Sequence, residues 1–321
     1  MDNIERYKSE NINDFLTKEL GPGYASYRRL WNNISTATIS KFPIHIDFEV
    51  NDKCNSSCSM CPRNSKTHPD INYKIYTGSV LEVSDYKKII DEGSSKGLMS
   101  VNLGAFGEPL LSDKVFSMVD YAHEKGIIDS RIITNGMLLH NFTDEIFESG
   151  LVNLFVSIDA YSNETYRQIR GRGFEQVKFN LLDFLEKKKQ RKSLLPIVRV
   201  SFVKMPANKK EENAFIKFWE DKVDIIDIQV FDDFNVDTTK PMVKNNCKKW
   251  DCMAPWKRVA VLSNSNIIPC CNFFGWNIPI GNIIEDSIEK AWHSSKMMAI
   301  REGILDDSFR NCSICQRVGS A

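Results

Sequence analysis

Cys54-Asn55-Ser56-Ser57-Cys58-Ser59-Met60-Cys61, followed by Pro62-Arg63, is the stretch on which the reading of this chain turns. Its cysteines have the spacing C-x3-C-x2-C. The run Ile44-His45-Ile46-Asp47-Phe48-Glu49-Val50 comes just before it and reads as a first core strand. Three thiolates in so short a loop can hold three corners of a cubane [4Fe–4S] cluster. The fourth iron then has no protein ligand and is open to chemistry. A three-cysteine zinc loop completed by a distant residue is the competing reading, because His45 and His68 flank the loop.

The chain has 321 residues, enough for one large α/β domain or two domains. Lys+Arg and Asp+Glu both number 42, so the formal charge is zero and there is no basic excess to track nucleic acid. No apolar run approaches the roughly 18–20 residues needed to cross a bilayer. The start, Met1-Asp2-Asn3-Ile4-Glu5-Arg6, lacks the apolar core of a secretory signal. The expectation is a cytoplasmic protein with no membrane or nucleic-acid partner. Its nine cysteines are then metal ligands rather than disulfides, and an odd count cannot pair completely.

Residues 1–40 read as a helical extension, with helices around Ile12 to Leu20 and Tyr24 to Ser35, covering the bottom or side of the main domain. After the cysteine loop, amphipathic helices alternate with short β-branched runs. The strands read as 100–103, 131–134, 153–158, 198–203 and 225–231, and the helices as 83–94, 113–125, 143–149, 174–189 and 211–219. With the strand at Ile44 this makes six βα repeats, the pattern of an α/β fold with a parallel sheet. In such folds ligands sit at the C-terminal ends of the strands. The cysteine loop is at that mouth. So are Gly104-Ala105-Phe106-Gly107-Glu108-Pro109, Thr134-Asn135-Gly136, and Ser157 with Asp159.

The composition changes near Asn235, and Asp237-Thr238-Thr239-Lys240-Pro241 reads as a linker. The expected division is therefore 1–40, 41–235 and 236–321. The last part carries Cys247, Cys252, Cys270, Cys271, Cys312 and Cys315, the final pair forming a C-x2-C knuckle. Arg258 to Leu262 and Ile267 to Pro269, joined through Asn264-Ser265-Asn266, read as a β-hairpin ending at Cys270. A helix follows from Ser287 to His293. A four-thiolate zinc site is the competing reading here.

The cysteine loop and these strand ends together resemble the radical S-adenosylmethionine (radical SAM) superfamily. The resemblance covers roughly Ile44 to Cys315 and implies a (β/α)6 partial TIM barrel with a small C-terminal cysteine-rich β-hairpin and helix domain of the SPASM or twitch type. It implies that Cys54, Cys58 and Cys61 hold the radical SAM [4Fe–4S] cluster, whose open iron chelates S-adenosylmethionine. Met60 takes the place of a commonly aromatic residue near the adenine. Gly107 and Glu108 correspond to a Gly-Gly-Glu segment at the methionyl amino group, with Phe106 in place of its first glycine. Thr134 and Asn135 match a Thr-Asn-Gly segment. Ser157 lies on the face that holds the ribose and carboxylate. Arg170, in Tyr166-Arg167-Gln168-Ile169-Arg170-Gly171, reaches the carboxylate. Cys252, Cys270, Cys312 and Cys315 match the ligands of one auxiliary [4Fe–4S] cluster.

The resemblance further implies reductive cleavage of S-adenosylmethionine, with an electron donor such as flavodoxin or ferredoxin. The resulting 5′-deoxyadenosyl radical abstracts hydrogen from a substrate C–H bond. The first expectation is dehydrogenation of a hydroxylated small molecule of sugar or cyclitol type, with the auxiliary cluster receiving an electron. The second is epimerisation, with Cys271 or Cys247 returning a hydrogen atom, on a sugar or a ribosomally made peptide. A two-cluster electron carrier is the non-catalytic alternative. Arg199, Gln229 and Asp232 are candidates for the substrate pocket.

Overall fold

The computed structural model describes residues 4–7, 11–61, 63–64, 77–230, 252–271 and 278–306. A short strand, β1 (Ile4–Tyr7), precedes two helices, α1 (Ile12–Leu20) and α2 (Pro22–Asn33). Strand and helix then alternate: β2 (His45–Phe48), α3 (Val83–Ser94), β3 (Ser100–Asn102), α4 (Val115–Glu124), β4 (Asp129–Thr134), α5 (Thr143–Glu148) and β5 (Asn153–Ser157). The series continues with α6 (Asn163–Ile169), α7 (Phe174–Gln190), β6 (Ile197–Lys204), α8 (Glu212–Trp219) and β7 (Ile225–Val230). The later part has α9 (Ala254–Lys257), a hairpin of β8 (Arg258–Val261) and β9 (Asn266–Ile268), β10 (Gly281–Asn282), α10 (Ile288–Trp292) and α11 (Ser295–Leu305).

The strands β2 to β7 are parallel and adjacent in chain order. Parallel crossovers are right-handed, so an order that never reverses puts all the connecting helices on one face. The other face becomes the inside of a partial (β/α)6 barrel. Side chains obey this division with period two. Ile46, Phe48, Val101, Ile132, Leu154, Val156, Val198, Val200, Ile226 and Ile228 turn outward into one buried core. The helices meet them with a period near 3.6: in α3 the buried residues are Tyr86, Ile89, Ile90 and Gly93. The alternate strand positions His45, Asp47, Asn102, Arg131, Asn153, Phe155, Arg199, Ser201 and Asp227 face the barrel interior. That inner face is strongly polar.

Two features differ from the expected layout. The leading segment contains, besides its two helices, the strand β1, which pairs antiparallel with β7 at one sheet edge. The C-terminal hairpin also joins the barrel's own sheet. Strand β8 runs parallel to β2 in the register His45 with Arg258 through Phe48 with Val261, and β9 and β10 extend the sheet beyond it. Only a long-range pairing decides this, and the local sequence pattern of a hairpin does not contain it. Leu16, Tyr24 and Tyr27 pack with Ile44, Val152, Ile197 and Ile225, so α1 and α2 lie against the N-terminal ends of the strands.

Ile46 is fully buried between helices and sheet. Its replacement by Ala is expected to cost about 2–5 kcal/mol, seen as a lower denaturation midpoint of the anaerobically prepared protein. A midpoint unchanged within error would contradict this placement.

Candidate functional site

The loop that follows β2 is held in place by backbone and side-chain bonds to the C-terminal end of α6 and the end of β4. Ser59 N donates to Ile169 O at 2.8 Å, and Ser56 Oγ donates to Arg170 O at 2.9 Å. Asn135 Nδ2 donates to Asn55 Oδ1 at 2.7 Å. Within the loop, Cys61 N donates to Cys58 O at 3.1 Å. Cys58 is buried, while Cys54, Met60 and Cys61 are half-buried. Met60 therefore keeps an apolar face partly covered.

The segment after β3 lies hard against this loop. Glu108 N donates to Lys53 O at 2.8 Å, and Asn51 Nδ2 donates to Glu108 O at 3.0 Å. A methyl group at Gly107 would sit 2.0 Å from Asn51 O and 3.0 Å from Lys53 O. Gly107 is thus a glycine because two backbones meet there. Phe106 is buried with Ala260, Leu262 and Ile268. It anchors the segment to the C-terminal hairpin.

Glu108 is buried and collects donors from two strand ends. Its Oε1 accepts from Thr134 Oγ1 at 2.6 Å and from Leu110 N at 3.1 Å. Its Oε2 accepts from Asn135 N at 2.8 Å. Burial pushes its pKa above the ordinary carboxylate range, against the lowering effect of these bonds. Three of about four lone-pair positions are used, which leaves one on Oε2 for a ligand. Gly136 turns the chain with φ +78°. Asn180 on α7 donates to the carbonyls of Gly136 and Met137 at 3.0 and 2.9 Å. Nothing in the local sequence marks this helix asparagine as a support for the mouth.

Ser157 ends β5 half-buried on the inward-facing register. Asp159 is fully buried and adopts φ +61°, a conformation that costs a non-glycine residue free energy. Its Oδ1 accepts from Val203 N at 2.8 Å. Its Oδ2 takes Nε of Arg170 at 2.6 Å and also Nη2. The remaining Nη1 of Arg170 points at Cys58 Sγ, 3.7 Å away. Asp159 is therefore the partner of Arg170, a role the sequence did not display.

Behind the loop, Glu49 accepts from Arg63 Nη1 at 2.9 Å and from Ser263 N and Oγ at 3.1 and 2.8 Å. A buried carboxylate thus joins the chain beyond Cys61 to the turn of the β8–β9 hairpin.

Burial pushes Cys61 up to about 11 and raises Cys54 as well, so unligated thiolates are disfavoured. Yet donors aim at the sulfurs: Arg170 Nη1 is 3.7 Å from Cys58 Sγ and Asn135 Nδ2 is 4.0 Å from Cys54 Sγ. Among the described residues no three His, Cys, Asp or Glu side chains converge on one ion. A cubane binds thiolates at separate corners and asks for wider spacing.

The barrel interior continues the polar surface downward. Tyr27 OH donates to Ser100 Oγ at 3.1 Å, and Ser100 Oγ meets His45 Nδ1. His45 Nε2 lies 3.3 Å from Asp47. Burial lowers the pKa of His45 below its ordinary value, against the raising effect of Asp47. Burial would raise Asp47, but His45 and Arg258 hold its carboxyl well below the usual range. Arg258 Nη1 reaches Asp47 at 3.4 Å and Cys271 Sγ at 3.2 Å. Asn102 Oδ1, Arg131 Nε and Arg258 Nε are buried without a hydrogen-bond partner among the described residues.

Cys270 and Cys271 follow β9, where that strand runs back to the level of Arg258 at the start of β8. They lie toward the opposite end of the strands from the Cys54 loop. Cys252 is half-buried against the main core just before α9. Cys247, Cys312 and Cys315, together with Asp232 and His68, lie outside the described residues. Arg199 pairs with Asp227 at 3.2 Å across β6 and β7.

A model of the radical SAM superfamily matches residues 48–200, and a model of the SPASM iron–sulfur cluster-binding domain matches residues 252–317. The chain belongs to the radical SAM superfamily. Its two domains imply S-adenosylmethionine, a radical SAM [4Fe–4S] cluster and an auxiliary [4Fe–4S] cluster. A probable GTP 3′,8-cyclase of Methanothermobacter thermautotrophicus is 31% identical over 130 residues, 40% of each chain. GTP 3′,8-cyclase of Thermodesulfovibrio yellowstonii is 26% identical over 182 residues, 56% of this chain and 53% of that one. The matches thus span about half, or less, of those relatives. BtrN in complex with AdoMet and 2-DOIA shares the fold with TM-score 0.52 and 20% identity, over 83% of this chain and 88% of that one. Streptococcus suis SuiB bound to its precursor peptide SuiA shares it with TM-score 0.62 and 14% identity, over 87% and 70%. Among the described residues no helix is long and apolar enough to cross a membrane.

Replacing Glu108 by Gln puts an amide N–H against the donors that now meet a carboxylate. The expected loss is about 1–3 kcal/mol of stability, with weaker binding of S-adenosylmethionine in equilibrium dialysis. Wild-type stability and affinity in this variant would remove Glu108 from its place at the mouth.

Proposed function

We propose that this radical SAM enzyme dehydrogenates a hydroxylated small molecule of sugar or cyclitol type, held inside the barrel between residues 41–235 and the auxiliary-cluster segment 236–321. The observation that carries this reading is the arrangement along β2 and β8. The Cys54 loop leaves one end of that strand pair, and the chain returns to Cys270 at the other. Between them lies an interior rich in hydrogen-bonding groups, three of whose atoms lack partners among the described residues. Buried polar atoms without partners are costly, and hydroxyl groups of a substrate would satisfy them.

When bound at the Cys54 loop, the cluster and S-adenosylmethionine supply the 5′-deoxyadenosyl radical. In this reading Cys54, Cys58 and Cys61 hold the first cluster. Thr134 and Asn135 fix Glu108, whose remaining Oε2 position and the adjacent Gly107 backbone receive the methionyl amino group. Asp159 holds Arg170 with one edge free for an anionic group, a carboxylate being the natural match for a guanidinium. Ser157 offers a hydroxyl to the ribose and Met60 an apolar surface to the adenine. Cys252, Cys270, Cys312 and Cys315 hold the auxiliary cluster, which would take the electron that dehydrogenation releases. A flavodoxin or ferredoxin is the reductant.

One observation favours a second reading, radical epimerisation. Cys271 is close enough to Arg258 and Asp47 to border the polar interior. Burial pushes its thiol pKa up, Asp47 adds to this and Arg258 opposes it, so the sulfur keeps its hydrogen near neutral pH. Cys247 is the other thiol available for this role.

Protein reconstituted anaerobically with iron and sulfide, then given dithionite and S-adenosylmethionine, is expected to form 5′-deoxyadenosine. Sugars, aminocyclitols and, because of the cyclase relatives, GTP form the substrate panel. Dehydrogenation gives a product lighter by two hydrogens and carrying no solvent deuterium, and Cys271→Ala leaves it unchanged. Deuterium incorporation from D2O, abolished in Cys271→Ala, would replace dehydrogenation with epimerisation. Reduction without any 5′-deoxyadenosine would leave only an electron carrier.

A further inference from the structure

We infer that the outer face of the Cys54 loop is the docking surface for an acidic electron-transfer protein. The inference rests on the radical SAM reading above and names a partner surface for it. A cleft of about 550 Å³ opens beside the exposed loop residues Asn55 and Ser57, lined also by Ser56, Met137, Gly171 and the arginines 167, 170 and 172. Its floor is the loop between Cys54 and Cys58, two of the proposed cluster ligands. A partner seated there would contact the loop that carries Cys54 and Cys58.

The charge of the cleft has one sign. No carboxylate lines it. Arg170 is neutralised by Asp159, but Arg167 and Arg172 are exposed and meet no carboxylate among the described residues. Glu164 and Glu175 are exposed on α6 and α7 and do not line the cleft. The whole chain is electrically neutral, so this local excess is not a by-product of a basic protein. Phe179, 65% exposed on α7, lies on the same helical face as Glu175 and Gln176 beyond the rim. Exposed arginines that meet no carboxylate fit a protein surface, since Arg is enriched where proteins meet.

The chemistry is a single electron transfer. The donor's reduced centre loses one electron, the cluster gains it, and no covalent bond is made or broken. Arg167 and Arg172 do not touch the reacting atoms. They orient the donor and speed its arrival, which is how surface charges act on association.

The test uses the full-length reconstituted enzyme, reduced flavodoxin as the acidic probe, and dithionite as a donor that needs no docking. Arg167→Glu combined with Arg172→Glu is expected to weaken flavodoxin binding at low ionic strength by about tenfold or more. It should slow flavodoxin-driven 5′-deoxyadenosine formation to the same extent, with the dithionite-driven rate unchanged. Arg167→Lys with Arg172→Lys should stay within about threefold of wild type, and wild-type binding should weaken as salt rises. Should the double variant fail to fold, Arg172→Gln alone reports through the salt dependence of binding. Unchanged flavodoxin binding on charge reversal overturns the inference. So does an equal loss with dithionite, because the arginines would then serve the bound cofactor. If dithionite yields no 5′-deoxyadenosine even in wild type, radical chemistry fails, while the binding measurement still decides the docking surface.

Discussion

The carboxylate of Glu108 is the point on which the mouth of the barrel depends. It sits in a segment that follows β3, yet most of its bonds go to the end of β4. Its own backbone is tied to Lys53, one residue before the first loop cysteine. Three strand ends are therefore fixed to each other through one side chain and one close backbone approach. Nothing bulkier than glycine at 107 could allow that approach. Geometry at an active site needs support of this kind, because loops left to themselves wander by more than catalysis tolerates.

Further buried charges repeat the theme. Arg63 with Glu49 joins the chain beyond Cys61 to the end of β2, and Arg170 with Asp159 joins the end of α6 to the turn after β5. Arg258 with Asp47 joins the C-terminal hairpin to the first barrel strand. Buried ion pairs are weak contributors to net stability, since desolvation offsets much of the attraction. Their cost is reasonable where position matters more than stability. Asp159 also holds a left-handed backbone, so conformational strain and a buried charge coincide at one residue. That coincidence marks a functional position better than either feature alone.

Much of the barrel was legible in the sequence because its strands and helices carry strong, distinct periods. The strand after Ile44 and the helix 83–94 emerged where the alternation placed them, with boundaries shifted by a residue or two elsewhere. The strand-end motifs were legible as short runs of unusual composition. Their partners were not. Asp159 reads locally as a turn residue, Asn180 as a polar position on a long helix, and Glu49 as one more residue of a strand. Each acquires its role from a residue tens of positions away, through a choice that local patterns do not encode. The parallel pairing of β8 with β2 was hidden for the same reason. Phe106 is instructive in the same sense: its type does not show in the sequence what it packs against, and the fold uses it to pack the mouth onto the hairpin.

The pairing of β8 with β2 has a consequence for how electrons can travel. The four residues Arg258–Val261 run alongside His45–Phe48 in fixed register, a span of roughly 13 Å at about 3.3 Å per residue. Hydrogen-bonded strands neither hinge nor stretch appreciably. The stretch of polypeptide between the Cys54 end and the Cys270 end is thus a rigid ruler, and any tunnelling path along it has a length set by the sheet rather than by domain motion. Substrates would have to adapt to that gap, since the gap cannot adapt to them.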